Sequence, residues 1–107
     1  MMMTRDRVLQ VLLDAVAEFN EELASDRPLT PSEATSLLPG FSGLDSLGFV
    51  NLVTLFEVQL ENQIGLSLSL VDEAEEARAA GDDPWRSVGT LADFIVRKAP
   101  QALNERG

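Results

Sequence analysis

Along most of this chain, apolar residues return at helical intervals. From Thr4 to Ala24, Leu9, Leu12, Leu13, Val16, Phe19 (or Asn20) and Leu23 recur at steps of three and four. Arg5, Gln10, Asp14, Glu18 and Glu21 take the other side, which is the pattern of an amphipathic surface helix. Thr4 is placed to cap its start and Asp6 lies in the first turn, where an acid meets the positive end of the helix dipole. A second apolar run, "LGFVNLVTLFEVQLENQI", predicts a helix from Ser46 or Leu47 to about Asn62. Leu47, Val50, Val53, Phe56 and Leu60 mark one face, and Phe49, Leu52, Leu55 and Val58 widen it well beyond a stripe. A helix this apolar is either largely buried or meets a partner.

The remaining pattern is thinner. In "GLSLSLVDEAEEARAAGDD", Ser69 can cap a helix over Leu70 to Ala80, acids crowd its first turns, and Gly81 is placed to end it. Its apolar face is only Leu70, Val71 and alanines, so it is expected to dock loosely. The preceding "SLSL" alternates like a strand, but four residues without a partner strand carry little weight. In "SVGTLADFIVRKA", Ser87 caps a last helix with Val88, Leu91, Phe94 and Ile95 facing inward. Arg97 and Lys98 complement its negative end, and Pro100 is expected to stop it, leaving "QALNERG" frayed. Residues 25–44 form a long link with prolines at 28, 31 and 39. Within it "TPSE" reads as a capping box: Thr30 caps, Pro31 takes the first helical position and Glu33 reaches back. A short helix from Pro31 to Leu37 follows, ended by Pro39-Gly40, and Leu29, Leu37, Leu38 and Phe41 suggest that the link packs. Several helices with few strand signals make an all-α bundle.

Length and composition narrow the function. The 107 residues fit one domain, residues 1–107, with 45% apolar content and a formal charge of −10 from 18 acids against 8 bases. That balance argues against nucleic acid and suits partners with basic surfaces. Without Cys or His there is no disulfide, thiolate nucleophile or zinc cluster, and the commonest general base is missing. No apolar run approaches the ~20 residues that span a bilayer. The start "MMMTRDRVLQ" shows no secretory signal, so a cytoplasmic location and a monomer are the default expectations.

The chemistry concentrates in "GLDSLGFV", residues 43–50. Ser46 admits three readings. It, or Asp45, is a helix cap. It is a nucleophile, since "GLDSL" looks a little like the Gly-Asp-Ser-Leu signature of some esterases; that route needs a base, and without His only a pairing with the sole lysine, Lys98, is formally left. Or it is a modification site, because a helix N-terminus offers free N–H groups and a positive dipole end to a phosphate.

The stretch "GLDSLGFVNLVTLFEVQLENQIG" resembles the central motif and second helix of the acyl carrier proteins. Val50, Val53, Phe56 and Leu60 follow that family's core pattern, Ile64 corresponds to an isoleucine closing its helix, and "WRSVGTLADFIV" looks like its final helix. The resemblance implies an all-α, four-helix acyl-carrier-like bundle with a long first loop and an extra helix around 70–80. It implies that Ser46 carries a covalent 4′-phosphopantetheine arm derived from coenzyme A, with Asp45 before it and Leu47 packing after it. The arm's thiol would hold acyl groups as thioesters, which suits a chain without Cys. The protein would then be a carrier without catalysis of its own. Its partners would be a phosphopantetheinyl transferase and acyl-activating and acyl-transferring enzymes. An aminoacyl or peptidyl carrier, or an unmodified interaction module of the same fold, are the alternatives.

The chain departs from the family in two places. Gly48, Asn51 and Val58 stand where acids are usual, leaving Glu57 and Glu61 on the second helix. The partner surface implied is therefore Phe49, Val50, Glu57 and Val58, docking through apolar contacts, unless Phe49 and Val58 pack under the link or the extra helix. Ile64 and Trp85 also lie farther apart than in the family. The intervening acidic segment is either a solvated face, or a lid or second docking surface. Trp85, with Phe56 and Ile64, is placed at the mouth or wall of an acyl pocket, as a gate or as a core anchor.

Overall fold

The computed structural model describes residues 4–23, 29–37 and 46–106. Its elements are α1 (Arg5–Leu23), α2 (Ser46–Ile64), α3 (Leu70–Ala79), a single 3₁₀ turn at Pro84–Arg86, and α4 (Val88–Arg106). The described residues contain no strand, so the fold is all-α with four helices. The "SLSL" alternation forms no ladder, because it has no strand to pair with.

Helix α1 packs along both α2 and α4. It starts as expected: the Arg7 N–H donates to Thr4 Oγ1 at 3.2 Å. Its buried residues are Val8, Val11, Leu12, Ala15, Val16 and Phe19, while Leu9 and Leu13 pack at the edge of the core. The buried face is thus rotated from the leucine pattern, because a helix between two neighbours buries a band broader than one stripe. On α4, Val88, Leu91, Ala92, Phe94 and Ile95 complete the core from the other side.

The link is held from three directions. Asn20 grips the backbone of Leu29 twice: its amide donates to Leu29 O at 2.6 Å and its carbonyl accepts from Leu29 N at 2.8 Å. Arg5 bridges Glu33 on the link and Asp93 on α4, and those two hydrogen bonds, Glu33 first, raise its guanidinium above the ordinary value. The first amides of α4 are satisfied by link carbonyls, with Val88 N donating to Thr35 O at 2.9 Å and Gly89 N to Glu33 O at 2.8 Å. Leu29 and Leu37 are buried, as their place in the pattern suggests, whereas Leu38 and Phe41 lie outside the described residues.

Three expectations fail. Residues 31–37 form a turn rather than a short helix: Thr35 N returns to Ser32 O, and Glu33 serves Arg5 instead of closing a capping box. The link's carbonyls are needed by α4, and a helix would have kept them for itself. Pro100 does not stop α4, which runs on to Arg106. Proline removes one N–H and disturbs one turn, and the good helix formers after it resume the ladder. Arg97 and Lys98 therefore sit inside α4, where they pair with Asp82 at 2.8 Å and Glu73 at 3.5 Å.

Helix α3 is bounded by its caps. Asp82 N donates to Ala77 O and Gly81 N to Arg78 O, with Gly81 at φ 95°, the Schellman arrangement that glycine adopts at least cost. Leu70 and Ala74 are its buried residues.

Candidate functional site

Ser46 is the first residue of α2. Asp45 and the rest of residues 38–45 lie outside the described residues, so the placement expected for Asp45 is not described. The first turn of α2 carries no acidic side chain, and the positive end of the helix dipole lies there.

The helix phase then sorts the candidate residues. Leu52, Val53, Phe56 and Leu60 are buried, and Phe49 and Leu55 are half-buried against the core. Leu47 is 70% exposed and Val50 57% exposed. This corrects the expectation that Leu47 packs inward and that Val50 belongs to the core face. Leu47 and Phe56 are nine positions apart, about two and a half turns, so they point to opposite sides. With Phe56 fixed in the core, Leu47 must look outward. Of the four residues taken as partner surface, Val50 and Val58 are exposed, the latter at 45%.

Phe49 and Glu57 are engaged internally. The Phe49 ring meets Trp85 edge-to-face, with centroids 5.0 Å apart and planes at 83°. Glu57 accepts the Leu70 N–H at 2.8 Å, so a carboxylate on α2 caps the start of α3. Ser69, the expected cap, donates instead to Asp72 Oδ2 at 3.1 Å.

Trp85 is buried, Phe56 is fully buried, and Ile64 is half-buried. Asp83 caps the 3₁₀ turn through Trp85 N, and the Leu37 N–H donates to Trp85 O at 3.2 Å. The tryptophan thus ties the link, the turn and the first part of α2 together. Of the three residues expected to line a pocket, it is the one in ring contact with the first turn of α2, through Phe49. Periodicity could not have revealed the roles of Asn20, Glu57 or the link carbonyls, because each joins one element to another.

Two open grooves flank α3. One, of about 320 Å³, lies between α2 and the loop to α3 and is lined by Glu57, Val58, Glu61, Ser67, Leu68 and Ser69. The other, of about 300 Å³, runs between the end of α3 and α4, over Phe94 and the Arg97–Asp82 pair. That pair's hydrogen bond is the main reason Asp82 sits below the ordinary carboxylate value. Lys98 is held by Glu73. Among the described residues no cluster of acids is placed to hold a metal, and no helix is long and apolar enough to cross a membrane.

Compared with protein-family models, with curated proteins and with solved structures, the chain matches none.

Proposed function

We propose that the protein is an acyl carrier: Ser46 is the attachment point of a 4′-phosphopantetheine arm, and the chain presents the tethered acyl group to partner enzymes. One observation carries the reading. The serine of "GLDSL" falls on the first residue of α2, where a phosphodiester would meet helix N–H groups and the positive dipole end. Two others support it. The first turn of α2 itself carries no acid, and the next residue, Leu47, stands 70% exposed.

The arm, when bound, supplies the thiol that holds an acyl group as a thioester; this chain contributes the anchoring hydroxyl and the surface around it. No catalysis is assigned to the chain, and its roles are holding and presenting. Tethering raises the local concentration of the cargo at each docked enzyme.

Incubation with coenzyme A and a phosphopantetheinyl transferase of broad specificity tests the reading. Intact mass should rise by one phosphopantetheine per chain, and Ser46→Ala should show no increase. A wild type that stays unmodified overturns the carrier reading and leaves an all-α interaction module. Protein recovered from its native host with its cargo attached would separate an acyl from an aminoacyl carrier by mass.

A further inference from the structure

We infer that Trp85 is the positioning residue for Ser46, because it holds the chain on both sides of the attachment site. The inference rests on the carrier reading and adds to that same site a residue remote in sequence. Upstream, the Leu37 N–H donates to Trp85 O at 3.2 Å. Downstream, the Phe49 ring meets the Trp85 ring edge-to-face, with centroids 5.0 Å apart. Ser46 opens α2 between these two ties. Positions 46 and 49 are three apart, so they are neighbours on one side of the helix.

The anchor itself is fixed. Trp85 is buried, and its turn is seated on α3 and α4. Asp83 accepts the Trp85 N–H at 3.3 Å. A second bond joins this region to the link, with Val88 N donating to Thr35 O at 2.9 Å. Among the described residues the backbones of the turn and of α2 do not come close, so the two rings span the gap. Gly48 is buried and Phe49 half-buried, while Leu47 and Val50 face water. The first turn of α2 is therefore held from one side, and the ring pair is a tie on that side. Edge-to-face rings prefer a defined angle, so an aliphatic residue in place of Trp85 would lose orientation as well as buried area. Orientation matters for arm transfer. The Ser46 hydroxyl forms the new P–O bond, the pyrophosphate bond of coenzyme A breaks, adenosine 3′,5′-bisphosphate leaves, and the hydroxyl proton passes to a base of the transferase. A displacement of this kind loses rate when the attacking oxygen is slightly misplaced.

Arm transfer from coenzyme A by a broad-specificity phosphopantetheinyl transferase tests this, at a temperature where circular dichroism shows each variant folded. Trp85→Leu should lower kcat by about tenfold, with KM within about twofold of wild type. Trp85→Phe, which keeps a ring for Phe49 to meet, should recover most of that loss. Phe49→Leu leaves the anchor in place and should lower kcat in the same way; it carries the test if Trp85→Leu does not fold. Asn20→Ala, which loosens the link at Leu29, should melt below wild type yet keep its kcat. Trp85 is the sole tryptophan, so its emission should shift when the arm is attached and stay constant for Ser46→Ala with the same reagents. A wild type that stays unmodified overturns the carrier reading and this inference with it. If the wild type is modified, the inference alone is overturned by any of four results: ring variants at wild-type kcat, Trp85→Phe no faster than Trp85→Leu, Asn20→Ala as slow as the ring variants, or Trp85 emission that ignores the arm. Losses confined to KM also overturn it, in favour of a docking role for the ring pair.

Discussion

Asn20 illustrates how much a single side chain can decide here. It sits near the end of α1 at a position the apolar pattern left ambiguous between itself and Phe19. Phe19 enters the core, while Asn20 imitates a neighbouring strand and satisfies both backbone groups of Leu29. Leu29 is buried, so truncation leaves a donor and an acceptor without partners near the core. Asn20→Ala should cost about 1–3 kcal/mol. Urea unfolding, with the midpoint shifted and the slope preserved, measures it; an unchanged midpoint would mean that water replaces the amide without loss. Nothing in local sequence announces this contact, because its partner is nine residues away across a link rich in proline.

At the scale of elements, α3 depends on its neighbours. A ten-residue helix is marginal alone in water, and this one buries only Leu70 and Ala74. Glu57 supplies what Ser69 does not, an acceptor for an N–H of the first turn. Glu57→Ala should therefore loosen α3 selectively, by about 1 kcal/mol. Hydrogen exchange should show faster exchange across Leu70–Ala79 with α1 unaffected. Uniform protection would place the glutamate at the partner surface and give it no part in holding α3. The bounds of α1, α2 and α3 were legible within a residue or two from caps, apolar periodicity and Gly81. The short helix after Pro31 and the stop at Pro100 were misread, since local propensity cannot show that α4 needs the link's carbonyls or that a ladder can resume beyond one missing N–H.

The whole molecule carries a charge of −10, and self-repulsion of that size weakens the compact state. The described ion pairs of Arg5, Arg97 and Lys98 involve mostly exposed side chains and offset little of it. At pH 7, raising salt from about 50 to about 500 mM should raise the melting temperature by a few degrees. On acidification, Asp82 is the described carboxyl that decides the sign. Its folded carboxyl lies below the ordinary value because of Arg97, so its contribution is present above the unfolded value and is lost only as pH falls through the lower folded one. A melting temperature that drops with salt would show that the surface pairs outweigh the repulsion.

What could be read from the amino acids alone was the class and the candidate. Apolar residues at helical steps, Ser and Thr caps, and a sheet-poor composition dictate an all-α bundle, because hydrogen bonding within each helix is local and its signals lie within a few residues. The same locality marked Ser46 or Leu47 as the residue opening α2. Which side of α2 faces water could not be read, since nearly every turn of that helix offers an apolar residue to either side. Packing against α1 chose Leu52, Val53, Phe56 and Leu60 for the interior, and so turned Leu47, Val50 and Val58 outward. Burial of one face is a property of the assembled core, in which the helices compete for the same apolar contacts, and only that competition settled which residues remain on the surface beside Ser46.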